Sequence, residues 1–275
     1  MLSAAFIANL IMNNHTTTTS PDSAIILAAG KGTRMNSDLP KVMHPVAGQP
    51  MVKWVVQSAR QVGAKEIVLV VGHRADVVQA AFANDKPACH CVMQSPQQGT
   101  GHAVDQARAL HEKGLLGENV FVLCGDGPLI QAQTLRKLWQ KHDSEHAAAS
   151  LATSIVKDAS GYGRIERDGA GKFLRIVEQK DATPAQLALK EINPSYYLFN
   201  TKALFEALKL VTNKNANGEY YITDVFELLL KRGLHIAVMN AVPEEEVLSI
   251  NTPQQLAQVD GILRARNRIP LESTS

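Results

Sequence analysis

The chain has 275 residues, 45% of them apolar and 20% charged, which excludes a disordered or low-complexity chain and allows a core that needs no staples. With 28 Lys plus Arg against 26 Asp plus Glu, the formal net charge is +2, so there is no electrostatic case for a nucleic-acid or membrane-surface partner. The 3 cysteines, Cys89, Cys91 and Cys124, are too few for a disulfide framework or a four-ligand zinc site and point to a reducing, cytoplasmic setting.

In chain order, Leu2–Met12 is apolar but too short to span a bilayer, and no Lys or Arg precedes Lys31, as a secretory signal would require. Residues 1–22 therefore read as a flexible extension outside the core, and no transmembrane helix is predicted anywhere. Ser23–Ala29 is continuously apolar, the pattern of a strand buried on both faces. A glycine-rich basic loop follows at Gly30–Met35. Met51–Val62 has helical periodicity and stops at Gly63, a C-cap residue. Glu66–Val71 is a second buried strand, Arg74–Phe82 a helix, His90–Gln94 a strand, Gly101–His111 a helix and Asn119–Cys124 a strand. This alternation predicts right-handed crossovers in a parallel sheet.

The second half alternates differently. Ala148–Val156 reads as a strand, and Gly163–Arg167 with Phe173–Glu178 as a hairpin across Asp168–Gly171. Glu191–Asn200 is a strand, Lys202–Leu210 and Ile222–Arg232 are helices, His235–Val242 is a strand, and Thr252–Asn267 is a charged terminal helix. The predicted fold class is α/β: a Rossmann-like, mostly parallel sheet with helices on both faces and a small β-rich insertion. One domain is predicted over 23–268, with halves at 23–130 and 131–251 and a terminal helix at 252–268.

Three motifs carry chemistry. In Leu27-Ala-Ala-Gly-Lys-Gly-Thr-Arg-Met35, followed by Pro40-Lys41, Gly30 and Gly32 let backbone N–H groups approach phosphate oxygens. Arg34 offers bidentate donors and Lys41 a point charge. The loop matches neither the P-loop nor G-x-G-x-x-G, since Met35 stands where the third glycine would be. A tight strand-to-helix turn with solvated cations fits it equally well. In Gln94-Ser-Pro-Gln-Gln-Gly-Thr-Gly-His102, Gly99 and Gly101 bracket Thr100 at a helix start. Gln94 has both amide faces for a ring such as uracil, although a polar helix cap reads the same way. In Leu123-Cys-Gly-Asp-Gly-Pro-Leu129, Asp126 stands beyond the carboxyl end of a parallel strand. Ligands bind there in open sheets, and a carboxylate there can hold Mg²⁺ beside a phosphate; an Asx-turn is the alternative. Cys124 reads as a small core residue rather than a nucleophile, His142 and His146 as surface residues, and Glu244–Glu246 as a solvated turn.

Together these motifs resemble the signature of the sugar-phosphate nucleotidyltransferases. The series Q-x-x-x-Q-G-T-G-H-A, G-D-x-P-L, G-Y-G-R-I, V-E-x-K-D-A-T, E-I-N and N-x-x-G-E-Y-Y-I-T-D is narrower, and resembles the uridyltransferase domain of the bacterial bifunctional enzymes that make UDP-N-acetylglucosamine. The likeness runs from about Ser23 to Arg268.

The resemblance implies a Mg²⁺-dependent transfer of UMP from UTP to N-acetylglucosamine 1-phosphate, with pyrophosphate leaving, in service of cell-envelope precursor synthesis. It implies that Leu27, Ala28, Ala29, Gly30 and Gly32 hold the nucleotide and that Gln94, Gly99 and Thr100 read its base. Arg34 then contacts the triphosphate, Lys41 contacts the α-phosphate, and Asp126 with Asn251 ligates the metal. Gly163, Glu178, Asn193, Tyr221 and Thr223 lie on the sugar side. Two positions depart from the pattern. The family usually reads E-I-N-T-G where this chain has Glu191-Ile-Asn-Pro-Ser195, which bears on sugar specificity, and G-[VI]-N where it has Ser249-Ile-Asn251. No hexapeptide repeat is present in this chain, so acetyltransferase activity is not expected of it, and a monomer or homodimer is. The competing expectations are the same chemistry on another nucleotide or sugar 1-phosphate, and a non-catalytic nucleotide-sugar sensor.

Overall fold

A computed structural model describes residues 21–35 and 37–268. The extension read over 1–22 lies outside the described residues except at its end. There the Asp22 carbonyl accepts from the backbone N–H of Lys65 (2.8 Å) and Glu66 (2.9 Å), so Asp22 already belongs to the fold.

The chain runs β1 (Ser23–Ala28), β2 (Pro45–Val46), β3 (Gln49–Pro50), α1 (Met51–Gln61), β4 (Glu66–Val71), α2 (Ala75–Phe82), β5 (Cys89–Met93), α3 (Thr100–Asp105), α4 (Arg108–Glu112) and β6 (Asn119–Cys124). It continues α5 (Ala132–Ser144), β7 (Ala149–Ile155), β8 (Gly163–Arg167), β9 (Phe173–Val177), α6 (Pro184–Leu187), β10 (Glu191–Asn193), β11 (Tyr196–Asn200), α7 (Thr201–Leu208), α8 (Asp224–Lys231), β12 (Ile236–Asn240) and α9 (Pro253–Arg268). Ten strands form one sheet in the order β5-β4-β1-β6-β11-β7-β10-β8-β9, with β12 on β7. The pairs β5–β4, β4–β1, β1–β6 and β12–β7 are parallel. The pairings of β11, β10, β8 and β9 are antiparallel.

The unbroken apolar runs of β1, β4 and β6 follow from helices covering both faces of the sheet. Ala24, Ile26 and Ala28 point into a core with α1, α2, α5 and α9, whereas Ile25 points into a second core with α3, α7 and α8. Each fully buried Ile or Val contributes about 1.5–3 kcal/mol relative to exposure.

Several expectations change. The helix predicted over Gly101–His111 is split, because the backbone tightens to i→i−3 bonds at Gln106 and Ala107 and α4 buries no residue. The small hairpin β2–β3 was not predicted; it turns on Ala47 (φ 47°) and Gly48 (φ 93°). His142 is not a surface residue. It continues the stripe Leu135, Leu138, Trp139 on α5, is 3% exposed, and bonds the Ser150 hydroxyl (2.8 Å) and Asn119 Oδ1 (3.1 Å). Glu246 is not part of a solvated turn either; it is fully buried. Among the described residues no helix is long and apolar enough to cross a membrane.

Candidate active site

Strand order sets the location. The chain builds outward from β1 through β4 to β5, then returns to place β6 on the other side of β1. The sheet therefore reverses between β1 and β6, and a crevice opens beyond their carboxyl ends. Leu27 is in register with Cys124, so the Gly30–Met35 loop and the Gly125–Asp126 turn emerge side by side. The antiparallel β11 brings Tyr196 opposite Leu123, which sets Asn193–Ser195 beside the same end. Asn193 then pairs with Gly163, and Arg164 with Val177, so Gly163 and Glu178 close the far wall.

The result is a cleft of about 480 Å³ lined by six of the predicted residues: Arg34, Asp126, Gly163, Glu178, Asn193 and Asn251. At one end Lys41 makes a short contact from Nζ to Asp126 Oδ2, and donates to Asn251 Oδ1 at 2.7 Å. Arg34 Nη2 donates to the same Asn251 oxygen at 3.0 Å. Gly32 (φ 67°) makes this possible, since a Cβ there would stand 2.6 Å from Lys41 Cβ. The Ile250 N–H bonds the Asp126 carbonyl (3.0 Å), which ties the Asn251 segment to the strand end.

At the other end, Glu178 Oε1 accepts from the Thr223 hydroxyl at 3.1 Å. Burial raises the Glu178 carboxyl above the usual range, and the Thr223 bond partly offsets this. Asn193 donates to Tyr197 Oη (2.6 Å) and accepts from the Ser195 N–H (3.0 Å). Ser195 has φ 65°, the left-handed backbone that glycine adopts at no steric cost. Sequence reasoning had the signal, a departure from glycine, but not the strain. Cys124 lines the cleft rather than lying in the core. Burial pushes its thiol up to about 12, which removes it as a nucleophile near neutral pH.

The base-reading candidates divide. Gln94 lies in a neighbouring groove of about 500 Å³ with Lys31, His73 and Gln97. Its Nε2 donates to the Gly99 carbonyl (2.9 Å) and faces His102 Nδ1 (3.2 Å), which leaves Oε1 as an acceptor. Leu27, Thr100 and Thr223 line a small pocket of about 140 Å³ that shares Cys124, Glu178 and Ser195 with the main cleft. Ala28 and Ala29 are buried, and Gln97 Nε2 makes a short contact with the Ala29 carbonyl. Gly30 is exposed with open space where a Cβ would go. Gly99 and Gly101 serve packing instead, since a Cβ on either would meet the Tyr220 carbonyl at 2.6 and 3.0 Å. Tyr221 lies apart from the cleft. It borders a neighbouring hollow with Asp181 and Asp224 that shares Glu178 with the cleft; its hydroxyl accepts from Asn217 (2.7 Å), and burial pushes it up to about 12. Sequence reasoning missed Gln255, whose Oε1 holds the Asn251 N–H at 2.8 Å.

Asp126 and Asn251 fit a magnesium ion on donor chemistry. Both offer hard oxygens, and the two converge on one cation, the Lys41 ammonium. Mg²⁺ takes one or two protein oxygens and completes its shell with phosphate and water. No cluster of three or more His, Cys, Asp or Glu suited to a metal occurs among the described residues.

A family model described as the MobA-like NTP transferase domain matches residues 24–222. The chain is 45% identical over 244 residues to proteins named bifunctional protein GlmU from Syntrophomonas wolfei and Geobacter metallireducens. The matches cover 89% of this chain and 53% and 51% of those proteins, so the chain spans about half the length of the curated relatives it matches. A UDP-glucose pyrophosphorylase solved with UDP-glucose superposes with a TM-score of 0.71 at 18% identity, over 90% of this chain and 99% of that one, a likeness of fold.

Proposed function

From the premise that this chain belongs to the MobA-like NTP transferase family and is a sugar-phosphate nucleotidyltransferase, we propose that it transfers UMP from UTP to N-acetylglucosamine 1-phosphate. The observation that carries this reading is the convergence of Lys41 and Arg34 on Asp126 and Asn251 at one end of a cleft whose other end holds Glu178 and Asn193. Cations gather where phosphates react, and hydrogen-bonding groups gather where a sugar lies.

In the reaction a phosphate oxygen of the sugar 1-phosphate attacks the α-phosphorus of UTP in line. The new P–O bond forms as the α–β bridge breaks, and pyrophosphate leaves with its electron pair. No general base is needed, because a phosphate monoester is already anionic near neutral pH. Lys41 meets the α-phosphate, and Arg34 meets the β- and γ-phosphates and the departing pyrophosphate. Catalysis is then positioning plus electrostatic stabilisation. Asp126 and Asn251 would hold a Mg²⁺ ion, which would supply charge neutralisation at the phosphate oxygens. The backbone of Leu27–Gly30 and Gly32 approaches the nucleotide, while Gln94 and Thr100 read the base and Gly99 lets their loop pack against the Tyr220 carbonyl. Glu178, Asn193 and Gly163 hold the sugar, with Thr223 fixing Glu178 and Tyr221 supporting that segment. The free cysteines Cys89, Cys91 and Cys124 favour a reducing, cytoplasmic setting for it.

Pyrophosphate release with a panel of four NTPs against several sugar 1-phosphates tests the proposal. Release confined to UTP with N-acetylglucosamine 1-phosphate is expected; nucleotide binding with no release from any pair overturns it in favour of a sensor. A second reading keeps the chemistry and changes the sugar. Ser195 favours it, because it adds a hydroxymethyl group to the cleft wall.

A further inference from the structure

Glu246 belongs to neither wall of the cleft, yet it is fully buried and its carboxylate is satisfied from one helix. Its Oε1 accepts from the Gln131 backbone N–H (3.0 Å), at the start of α5. Its Oε2 accepts from the Thr134 hydroxyl (2.8 Å) and Gln131 Nε2 (3.3 Å). A carboxylate at that place also meets the positive end of the α5 dipole. The backbone around Glu246 is gripped from the other side: Tyr196 Oη donates to the Glu246 carbonyl (2.8 Å), and Tyr162 Oη to the Val247 carbonyl (3.0 Å). Three residues further on, the Ile250 N–H bonds the Asp126 carbonyl, and Asn251 enters the phosphate end of the cleft. Val247 and Ile250 are buried, so the stretch between Glu246 and Asn251 has little freedom to absorb a displacement at one end.

We infer that Glu246 is a positioning residue, which pins the 246–251 segment to the start of α5 and so sets the separation between Asn251 and Asp126. The inference rests on the proposed roles of Asp126 and Asn251 as metal ligands. Its physical content is leverage. Residues outside the ligand shell that orient ligands typically change metal affinity by about 10- to 100-fold when lost. Glu246 acts at one remove from Asn251, so the lower end of that range applies. A glutamine keeps one acceptor oxygen for the Gln131 N–H, and its amide can donate to Thr134 Oγ1, so it preserves the pin. Alanine removes it.

The test uses the full chain as wild type, D126N, E246A, E246Q and T134V, with folding checked by circular dichroism and thermal melting. Mn²⁺ alone is titrated into each protein and free Mn²⁺ followed by electron paramagnetic resonance. The Mg²⁺ concentration for half-maximal pyrophosphate release is measured in parallel. The expected result is Mn²⁺ affinity lowered roughly tenfold in E246A, restored in E246Q, and lowered roughly threefold in T134V, which loses one of the three bonds. The half-maximal Mg²⁺ concentration should rise in the same order, with the KM for UTP at saturating Mg²⁺ unchanged. A merely structural role lowers the melting temperature of E246A and T134V and leaves metal affinity and Mg²⁺ requirement at wild-type values; that outcome overturns the inference. T134V decides the matter by itself if E246A does not fold. A wild-type chain that neither binds Mn²⁺ nor releases pyrophosphate overturns the parent reading and this one together.

Discussion

Lys41 shares its ammonium between the Asp126 carboxylate and Asn251 Oδ1, and Arg34 points to that same asparagine oxygen. Removing the carboxylate charge should therefore unbalance the whole cluster. Asp126→Asn is expected to lower turnover by at least roughly 10²-fold, the scale of losing one electrostatic stabiliser. Steady-state pyrophosphate release at saturating Mg²⁺ checks it, and near wild-type turnover would remove Asp126 from the metal role. Arg34 is exposed and carries no packing, so Arg34→Ala should cut activity while the melting temperature stays put. These four residues were legible in the sequence because each sits at a fixed distance from a strand end or within a motif. Glu246 was not. Its partners Gln131 and Thr134 are more than 110 positions away, and nothing in a run of three glutamates marks the one that turns inward. His142 was read as a surface residue, because its polar partners, Asn119 on β6 and Ser150 on β7, lie outside its own helix. It supplies a pH test. Burial lowers its imidazole from 6.5 to about 4, so between those values the unfolded chain binds a proton that the folded chain does not. The stability it leaves intact above pH 6.5 is lost on acidification, by about 1.4 kcal/mol per pH unit. Raised carboxyls such as Glu178 act in the opposite sense over their own window. Melting temperatures of wild type and His142→Gln between pH 7 and 4.5 separate the two, with a shallower acid decline expected in the variant.

At the scale of elements, the glycines divide by what lies over them. Gly30 stands two residues beyond β1 with open space above it, so Gly30→Ala should fold normally, and any loss of activity then reports room taken from the nucleotide. Gly99 has φ 107°, and a Cβ there would stand 2.6 Å from the Tyr220 carbonyl. That backbone belongs to the segment leading to Thr223, which holds Glu178. Gly99→Ala is expected to lower the melting temperature and also to raise the KM for the sugar 1-phosphate through displaced Glu178. A variant with unchanged stability would show that the 219–223 segment gives way freely. The sequence pattern alone could not tell a glycine that makes room for a ligand from one that makes room for another loop, because both need a missing Cβ. The strands were easier. β1, β4 and β6 are covered on both faces and so read as continuous apolar runs, whereas the two-residue strands β2 and β3 are too short to leave a period at all.

At the scale of the molecule, the two halves predicted at 23–130 and 131–251 share one sheet. β6 of the first half pairs through five residues with β11 of the second, and β11 pairs in turn with β7. Helix α9 adds a second link. Its buried Val259 and Leu263 enter the same core as α1 and α5, while Asp260 accepts from the Ala47 N–H (2.7 Å) and Arg266 donates to the Leu129 carbonyl (3.0 Å). The end of the cleft with Arg34 and Asp126 and the end with Glu178 and Asn193 both hang on strand termini of one continuous sheet. A cleft built this way holds its reacting groups by the rigidity of the sheet, which is what positioning catalysis requires. The thermodynamic consequence is one cooperative unit. Differential scanning calorimetry should give a single transition whose calorimetric and van't Hoff enthalpies agree, even at this length. Saturating UTP with Mg²⁺ should move that whole transition upward, because a ligand bound only by the folded state stabilises everything that unfolds with its site. Two resolved transitions, with only one shifted by nucleotide, would mean that the β6–β11 junction does not couple the halves and that the cleft can open between them.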